Sequence, residues 1–175
     1  THYTGQAITK TDMYVSSTAK YETEYRYNNG LLVTIVYPRD NRVDYTYDAN
    51  LNITERRHKT TDTASTSASD LVHEWAFTSN FVTSYTNPEG HETTYTRDAS
   101  GNVTDIHYPN VTNPVSQTSV SKTIVYNSYG QITKVTDEEG KVVQRAYFGV
   151  GDDQGLLQKV ERHHCRGGLT GRGLL

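Results

Sequence analysis

Short runs in which apolar and polar residues alternate, separated by clusters of turn-forming residues, make up most of the chain. Thr, Val and 14 Tyr residues populate the runs, whereas Gly, Asn and Asp populate the clusters. β-Branched and aromatic side chains suit a pleated, half-buried surface, and the cluster residues favour tight turns. The pattern therefore predicts an all-β protein of antiparallel β-hairpins. No segment has a convincing helical period, and residues 69–77 are predicted to be a strand rather than a helical turn.

The chain repeats itself at an offset of 50 residues. Residues 27–54 align with residues 77–104, and YTYDANLNIT in the first copy matches YTRDASGNVT in the second. Each copy splits into two half-units, and about seven half-units make residues 1–160 a single β-repeat region. A lone hairpin is marginal in water, so the half-units are expected to be stable only when stacked side by side. Residues 161–175 are predicted to be a flexible, basic, Gly-rich tail.

The half-units share an order of residue types: an aromatic residue, then Asn, Asp or Ser, a turn residue that is often Gly, an aliphatic residue and usually Thr. A catalytic residue would rarely recur in every unit with Asn in place of Asp, so the polar positions are interpreted as turn caps. The aromatic rings are expected to form a ladder on one face of the sheet, with Thr and Asn on the other. The recurring structural positions are Tyr27, Tyr47, Asp48, Phe77, Pro88, Gly90, Asp98, Gly101, Tyr126, Asn127, Gly130 and Gly140.

One half-unit departs from this order. Leu51 stands where two other half-units have Gly101 and Gly130. A residue with a Cβ is strained at positive φ, which Gly accepts freely. The geometry of the repeat is therefore expected to differ at Leu51, unless Asn50 or Asn52 takes the positive φ instead.

Repeats of the form Tyr-Asp-x-x-Gly-x-Leu/Ile-Thr, about 20 residues apart, resemble the Rhs/YD repeats of bacterial Rhs polymorphic toxins, toxin-complex C components, wall-associated proteins and teneurins. The resemblance extends over roughly residues 3–160. It implies stacked hairpins in a spiral sheet that forms a hollow shell, which in the toxins encloses a C-terminal effector. It also implies a structural protein rather than an enzyme. The residues that carry it are Tyr47, Asp48, Gly90, Asp98, Gly101, Tyr126, Asn127, Gly130 and Gly140.

Two features separate the chain from a complete toxin shell. Seven half-units are too few to close a large shell, and the chain has no Asp-Pro dipeptide of the kind at which such shells cleave themselves. One interpretation is a segment of a larger shell, continuing into flanking repeats and including the encapsulating part of a toxin. The other is a processed subunit, beginning at Thr1, whose end hairpins add strands to further copies and build a fibre or tube. Both predict an extracellular or cell-surface location.

Charge and composition argue against other classes. The formal net charge of −3 gives no electrostatic handle for nucleic acid, and no apolar run approaches the ~18 residues of a membrane span. Cys165 is the only cysteine, so an intramolecular disulfide is excluded. His163 and His164 beside it lack further ligands at structural spacing, and the carboxylates at 137–139 read as a solvated turn. No catalytic residue, metal site or cofactor is predicted.

A function of a different class is a surface module that binds carbohydrate or the cell envelope. Trp75 could stack on sugar rings, since aromatic faces are amphipathic platforms, although it could equally belong to the stacking core. Three Asn-x-Thr triplets make Asn52, Asn102 and Asn110 candidate glycosylation sites. A chain rich in Asn and Thr also produces such triplets by chance.

Overall fold

The computed structural model is all-β in the residues that it describes. Those residues form fourteen β-strands and no helix, which confirms the predicted fold of antiparallel hairpins. Accordingly, none of them belongs to a helix long and apolar enough to cross a membrane. The described residues are 2–4, 7–14, 20–109, 120–149 and 155–163.

Contacts group the chain into two compact units, residues 1–92 and 93–175. In the first unit, each strand pairs antiparallel with the next strand along the chain. Its strands are β1 (His2–Thr4), β2 (Ala7–Tyr14), β3 (Lys20–Asn28), β4 (Leu31–Val36), β5 (Arg42–Tyr47), β6 (Ile53–Lys59), β7 (Leu71–Thr78) and β8 (Phe81–Thr86).

The second unit has the same organisation, with each strand paired antiparallel to the next. Its first strand begins at the division between the units. The strands are β9 (Glu92–Arg97), β10 (Val103–His107), β11 (Ser121–Tyr126), β12 (Ile132–Thr136), β13 (Val142–Tyr147) and β14 (Leu157–His163).

The 50-residue repeat is visible in the strand boundaries. The bounds of β4 recur 50 residues later in β8, and those of β5 recur in β9. The turns match as well: Asn29 and Gly30 have positive φ between β3 and β4, as Ser79 and Asn80 have between β7 and β8. Positive φ at both central residues marks a type I′ turn, whose twist suits a two-residue hairpin.

Few side chains are buried, as expected for a thin sheet. Among the described residues, the buried apolar side chains are Val36 and Val43, which are 8% and 2% exposed. Two polar residues, Thr34 and Lys59, are also buried. Because residues alternate between faces along a strand, Thr34 lies on the face opposite to Val43, and this face carries most of the charged side chains of the unit.

Two predicted segments can be compared directly with the strands. Residues 69–77 contain most of β7, so the strand interpretation is confirmed over the helical one. Residues 161–163 belong to β14, where Val142 pairs with His163, so this strand extends three residues into the predicted tail. The rest of the tail, including His164 and Cys165, lies outside the described residues.

Candidate functional site

Five-residue corners with one hydrogen-bond pattern recur at the strand ends. The N–H of the first residue donates to the carbonyl of the fifth, and the N–H of the fourth donates to the carbonyl of the first. In the corner at 48–52, Asp48 Oδ1 also accepts the N–H groups of Asn50 and Asn52, each at 2.9 Å. The carboxylate therefore satisfies two donors that have no strand partner. The six corners are residues 37–41, 48–52, 87–91, 98–102, 127–131 and 137–141.

The first residue of five corners is Asp or Asn, and each side chain makes the same two bonds to backbone N–H groups. In two corners, the side-chain amide of the fifth residue donates to the capping carboxylate, and this bond is the main reason why the pKa values of Asp48 and Asp98 lie below the ordinary range. Pro88 follows Asn87 at the second corner position, where its fixed φ suits a turn. The corner is a structural element that accepts either Asp or Asn.

The expected change of geometry at Leu51 is wrong. The fourth residue of every corner has positive φ, and Leu51 adopts it too, at 67°, close to the 76° of Gly130. The described backbone gives positive φ to neither Asn50 nor Asn52. The paired strands and the Asp48 cap hold the corner, so Leu51 bears a left-handed conformation that costs an L-residue roughly 1–2 kcal/mol.

The recurring tyrosines have a role that their aromatic character did not predict. Each hydroxyl donates to a backbone carbonyl on the preceding strand, opposite the residue before the tyrosine. Tyr47 binds the carbonyl of Leu32 at 2.7 Å, and Tyr126 binds that of Val103 at 3.0 Å. Such a bond clips two strands together where they diverge into different turns. The same bond is made by Tyr27 to Ile8 and by Tyr147 to Ile132.

Two half-units lack the tyrosine clip. Phe77 occupies the position of Tyr27 but has no hydroxyl. Arg97 occupies the position of Tyr47 and donates through Nη1 to the carbonyl of Gly101 in its own corner, at 3.0 Å. The sequence signal for the clip was the use of Tyr rather than Phe in the other half-units.

Ion pairs cover the polar face of the first unit. Asp62, in the Ser/Thr-rich loop 60–70, accepts bonds from Arg26 at 2.7 Å and from Arg42 at 3.1 Å. These bonds raise the pKa of Arg26 and lower that of Asp62. The loop was predicted to be exposed, and most of its residues are, but Asp62 ties it to two strands.

Lys59 is the buried charge of this face, with its side chain 4% exposed. Its Nζ lies 3.0 Å from Asp44 and donates to the carbonyls of Thr63 and Ala64 in the loop. Burial raises the pKa of Asp44, but hydrogen bonds from Arg42, Thr34 and Lys59 outweigh it, and the pKa lies below its ordinary value. This cluster depends on cross-strand register, which the sequence patterns did not define.

The opposite face carries an aromatic cluster around Trp75. The rings of Trp75 and Tyr85 lie 5.5 Å apart, and His73 stacks beside both, with His73 Nδ1 2.7 Å from the Tyr85 hydroxyl. His58 meets His73 edge-on at 6.0 Å. Desolvation, and then the charge of Arg56, lowers the pKa of both histidines, so they are neutral at neutral pH. Among the described residues, ring contacts involve this cluster rather than the predicted tyrosine ladder.

A groove lies beside this cluster on the same unit. Its volume is about 500 Å³, within the range of small-molecule sites. One cation, Arg56, and no carboxylate contribute to its lining. Arg56 Nε is buried and has no hydrogen-bond partner among the described residues. The lining residues are Tyr45, Leu51, Asn52, Ile53, Arg56, Trp75, Phe77 and Val82.

The remaining sequence candidates are placed as follows. Asp137 caps its corner, while Glu139 pairs with Lys141, so these carboxylates do not converge on one point. No group of metal ligands occurs among the described residues. Asn52 already donates both amide hydrogens, to Asp48 and to Asn80, each at 3.0 Å, which weighs against a glycan at this nitrogen. Asn102 donates to Asp98 at 3.0 Å in the same way, and Asn110 lies outside the described residues.

Comparisons with known proteins give one family match and weak structural matches. The family model described as RHS Repeat matches residues 79–110. The crystal structure of TcdB2-TccC3 without its hypervariable C-terminal region matches with a TM-score of 0.44 and 15% identity over 84% of this chain and 9% of that chain. The crystal structure of TcdB2-TccC3-Cdc42 gives 0.43 and 16% over the same shares. No curated protein matches the sequence.

The corners, the clips and the chain-order pairing define a class, the repeat proteins built from antiparallel β-hairpins. Within this class the chain is of the Rhs/YD-repeat family, and the recognition made from the sequence is confirmed at residues 79–110. This match begins in the turn before β8 and spans β9 and β10. The chain spans 9% of the length of the toxin-complex chains that it matches.

Proposed function

We propose that the chain is a wall segment of an Rhs/YD-type shell, with a structural role and with flanking repeats as its partners. The observation that carries the proposal is the edge strand β14. This strand is seven residues long, contains no proline, and pairs only with β13 among the described residues. Two of its apolar side chains, Leu157 and Val160, are 53% and 45% exposed. An edge of this kind is a template for a further strand.

The chain-order pairing supports continuation rather than closure. Each described hairpin uses one strand to bind the previous hairpin and the other to bind the next, so a stack has no inherent end. In a larger polypeptide the next repeat covers β14. In the isolated chain a second copy does so, and the same edge then builds a fibre. Either arrangement suits an extracellular or cell-surface location.

Strand addition can be tested with proline at the edge. N–H groups along β14 alternate between β13 and the outside, so one of Lys159→Pro and Val160→Pro removes an outward donor. We expect the unmodified chain to form larger species as its concentration rises, and one proline variant to stay monomeric while keeping its β-sheet spectrum. Sedimentation velocity and electron microscopy measure this, with Val160→Thr as the matched control that keeps the N–H group. A monomer at all concentrations in the unmodified chain would contradict strand addition.

A second candidate function is binding of carbohydrate, and the groove beside Trp75 favours it. Aromatic rings, an amide and a guanidinium line the same groove, and these groups are suited to sugar rings and hydroxyls. Trp75 is the only tryptophan, so its fluorescence reports directly on occupancy of the groove. Oligosaccharides that leave this fluorescence unchanged at millimolar concentration would exclude the candidate.

A further inference from the structure

Three departures from the repeat meet in the groove beside Trp75. Leu51 replaces the usual corner glycine, Phe77 replaces the clip tyrosine, and Arg56 has a buried Nε without a hydrogen-bond partner. Each departure lowers the stability that the repeat could otherwise reach. Local rules are broken mainly where function requires it, so their convergence at one place indicates a site.

Leu51 contributes side-chain surface to the groove at a cost to the backbone. Its φ of 67° is strained for an L-residue, and the residue is 62% exposed, so it gains little from burial. The corner at 37–41 also has a non-glycine residue at this position, Asp40, which does not line the groove. The isobutyl group of Leu51 is therefore explained better by the groove than by the fold.

Phe77 keeps the wall of the groove apolar. In four half-units the hydroxyl at this position binds a carbonyl on the preceding strand. By the register of β6 and β7, the corresponding carbonyl belongs to Ile53, which also lines the groove. Without the hydroxyl, Phe77 presents an unmodified ring edge beside Trp75.

Arg56 gives the groove its charge. No carboxylate lines the groove, and Arg56 makes no ion pair in the described part of the chain. Its charge is felt nearby, since it lowers the pKa of His58 and His73. A cation that is half-buried and not neutralised attracts an anion, and a carboxylate matches the planar guanidinium.

We propose that the groove binds an acidic oligosaccharide, with the carboxylate of a uronic acid against Arg56 and its pyranose ring against Trp75 and Phe77. The proposal rests on the second function above, carbohydrate binding, and names the class of sugar. Tyr45 and Asn52 add a hydroxyl and an amide oxygen, which suit sugar hydroxyls better than a purely apolar acid.

The test compares trigalacturonic acid with its fully methyl-esterified form, which keeps the rings and loses the charge. Calorimetry and Trp75 fluorescence measure binding to the full chain. We expect the acid to bind at least ~10-fold more tightly than the ester, because hydrogen bonds to charged groups are the stronger ones. Arg56→Gln should remove this preference and Arg56→Lys should restore part of it. Circular dichroism checks that each variant keeps its β-sheet.

A second variant separates binding from folding. Leu51→Gly relieves the backbone and removes part of the groove, so affinity should fall several-fold, as expected for lost apolar contact, while stability does not fall. Asp40→Gly is the matched control, because it relieves the same strain outside the groove and should leave affinity unchanged. Loss of affinity in both variants would overturn the assignment of Leu51 to the groove.

The outcomes distinguish the two proposals. Equal binding of acid and ester with a Trp75 response would leave carbohydrate binding standing and overturn the preference for uronic acid. No binding of either sugar would overturn both. Binding of decanoate without a response to either sugar would also overturn both, and would identify the groove as a site for apolar acids.

Discussion

The two copies of the repeat, residues 27–54 and 77–104, have the same strand boundaries and corners but different side-chain support. The first copy has two tyrosine clips, whereas the second has Phe77 and Arg97 in those positions. On the polar face, Asp44 of the first copy aligns with Thr94 of the second, which cannot form the ion pair.

This comparison separates what defines the backbone from what may vary. Both copies retain the Asx cap, the positive φ at the fourth corner position and the two-residue turn. The clip, the ion pairs and even the corner glycine differ between them. The backbone hydrogen bonds and Asx caps therefore specify the repeat, and the remaining positions can be altered for local stability or for a site. Three pairs of substitutions test this division.

The largest expected difference lies at the buried ion pair. Asp44→Asn leaves the buried Lys59 without its carboxylate and should lower the free energy of unfolding by about 3 kcal/mol, since an uncompensated buried charge is costly. The aligned change in the second copy, Thr94→Ala, should cost under ~0.5 kcal/mol, as at most surface positions. Urea unfolding measures both.

A double variant shows whether the effect belongs to the pair. Asp44→Asn with Lys59→Met removes both charges, and it should recover part of the lost stability because no charge then stays buried alone. Equal losses for Asp44→Asn and Thr94→Ala would mean that the ion pair contributes nothing particular to the first copy.

The sequence contained the corners but not these pairs. Asp48 and Gly101 could be recognised because the residue types of a turn follow from local backbone geometry. The bond from Tyr47 to Leu32 and the pair of Lys59 with Asp44 join different strands, so they depend on register and on the path of the loop 60–70. The groove was foreseen only through Trp75, because Arg56 carried no local signal.

A smaller effect of opposite sign is expected at the fourth corner position. Gly101→Leu should cost about 1 kcal/mol, the strain of a Cβ at positive φ less the backbone entropy that glycine loses. Leu51→Gly should stabilise by a few tenths of a kcal/mol to about 1 kcal/mol for the same reason. If both variants were destabilised, Leu51 would have to stabilise the fold through packing rather than through its backbone.

The smallest effect is expected at the clip. Tyr27→Phe removes one hydrogen bond and should lower the free energy of unfolding by about 1 kcal/mol or less. Phe77→Tyr makes the reciprocal change and, by the register of β6 and β7, brings a hydroxyl to the carbonyl of Ile53. It should stabilise by a similar amount if the two copies differ here only in the clip.

The reciprocal pair also bears on the groove, because Phe77 and Ile53 line it. A hydroxyl at position 77 that binds the Ile53 carbonyl would strengthen the repeat and place a polar group in the wall of the groove. Denaturant midpoints for Tyr27→Phe and Phe77→Tyr, with Trp75 fluorescence as a second probe, measure both consequences. If Phe77→Tyr is destabilising while Tyr27→Phe is also destabilising, the second copy cannot accept the clip, and its groove is packed for an apolar ring at this position.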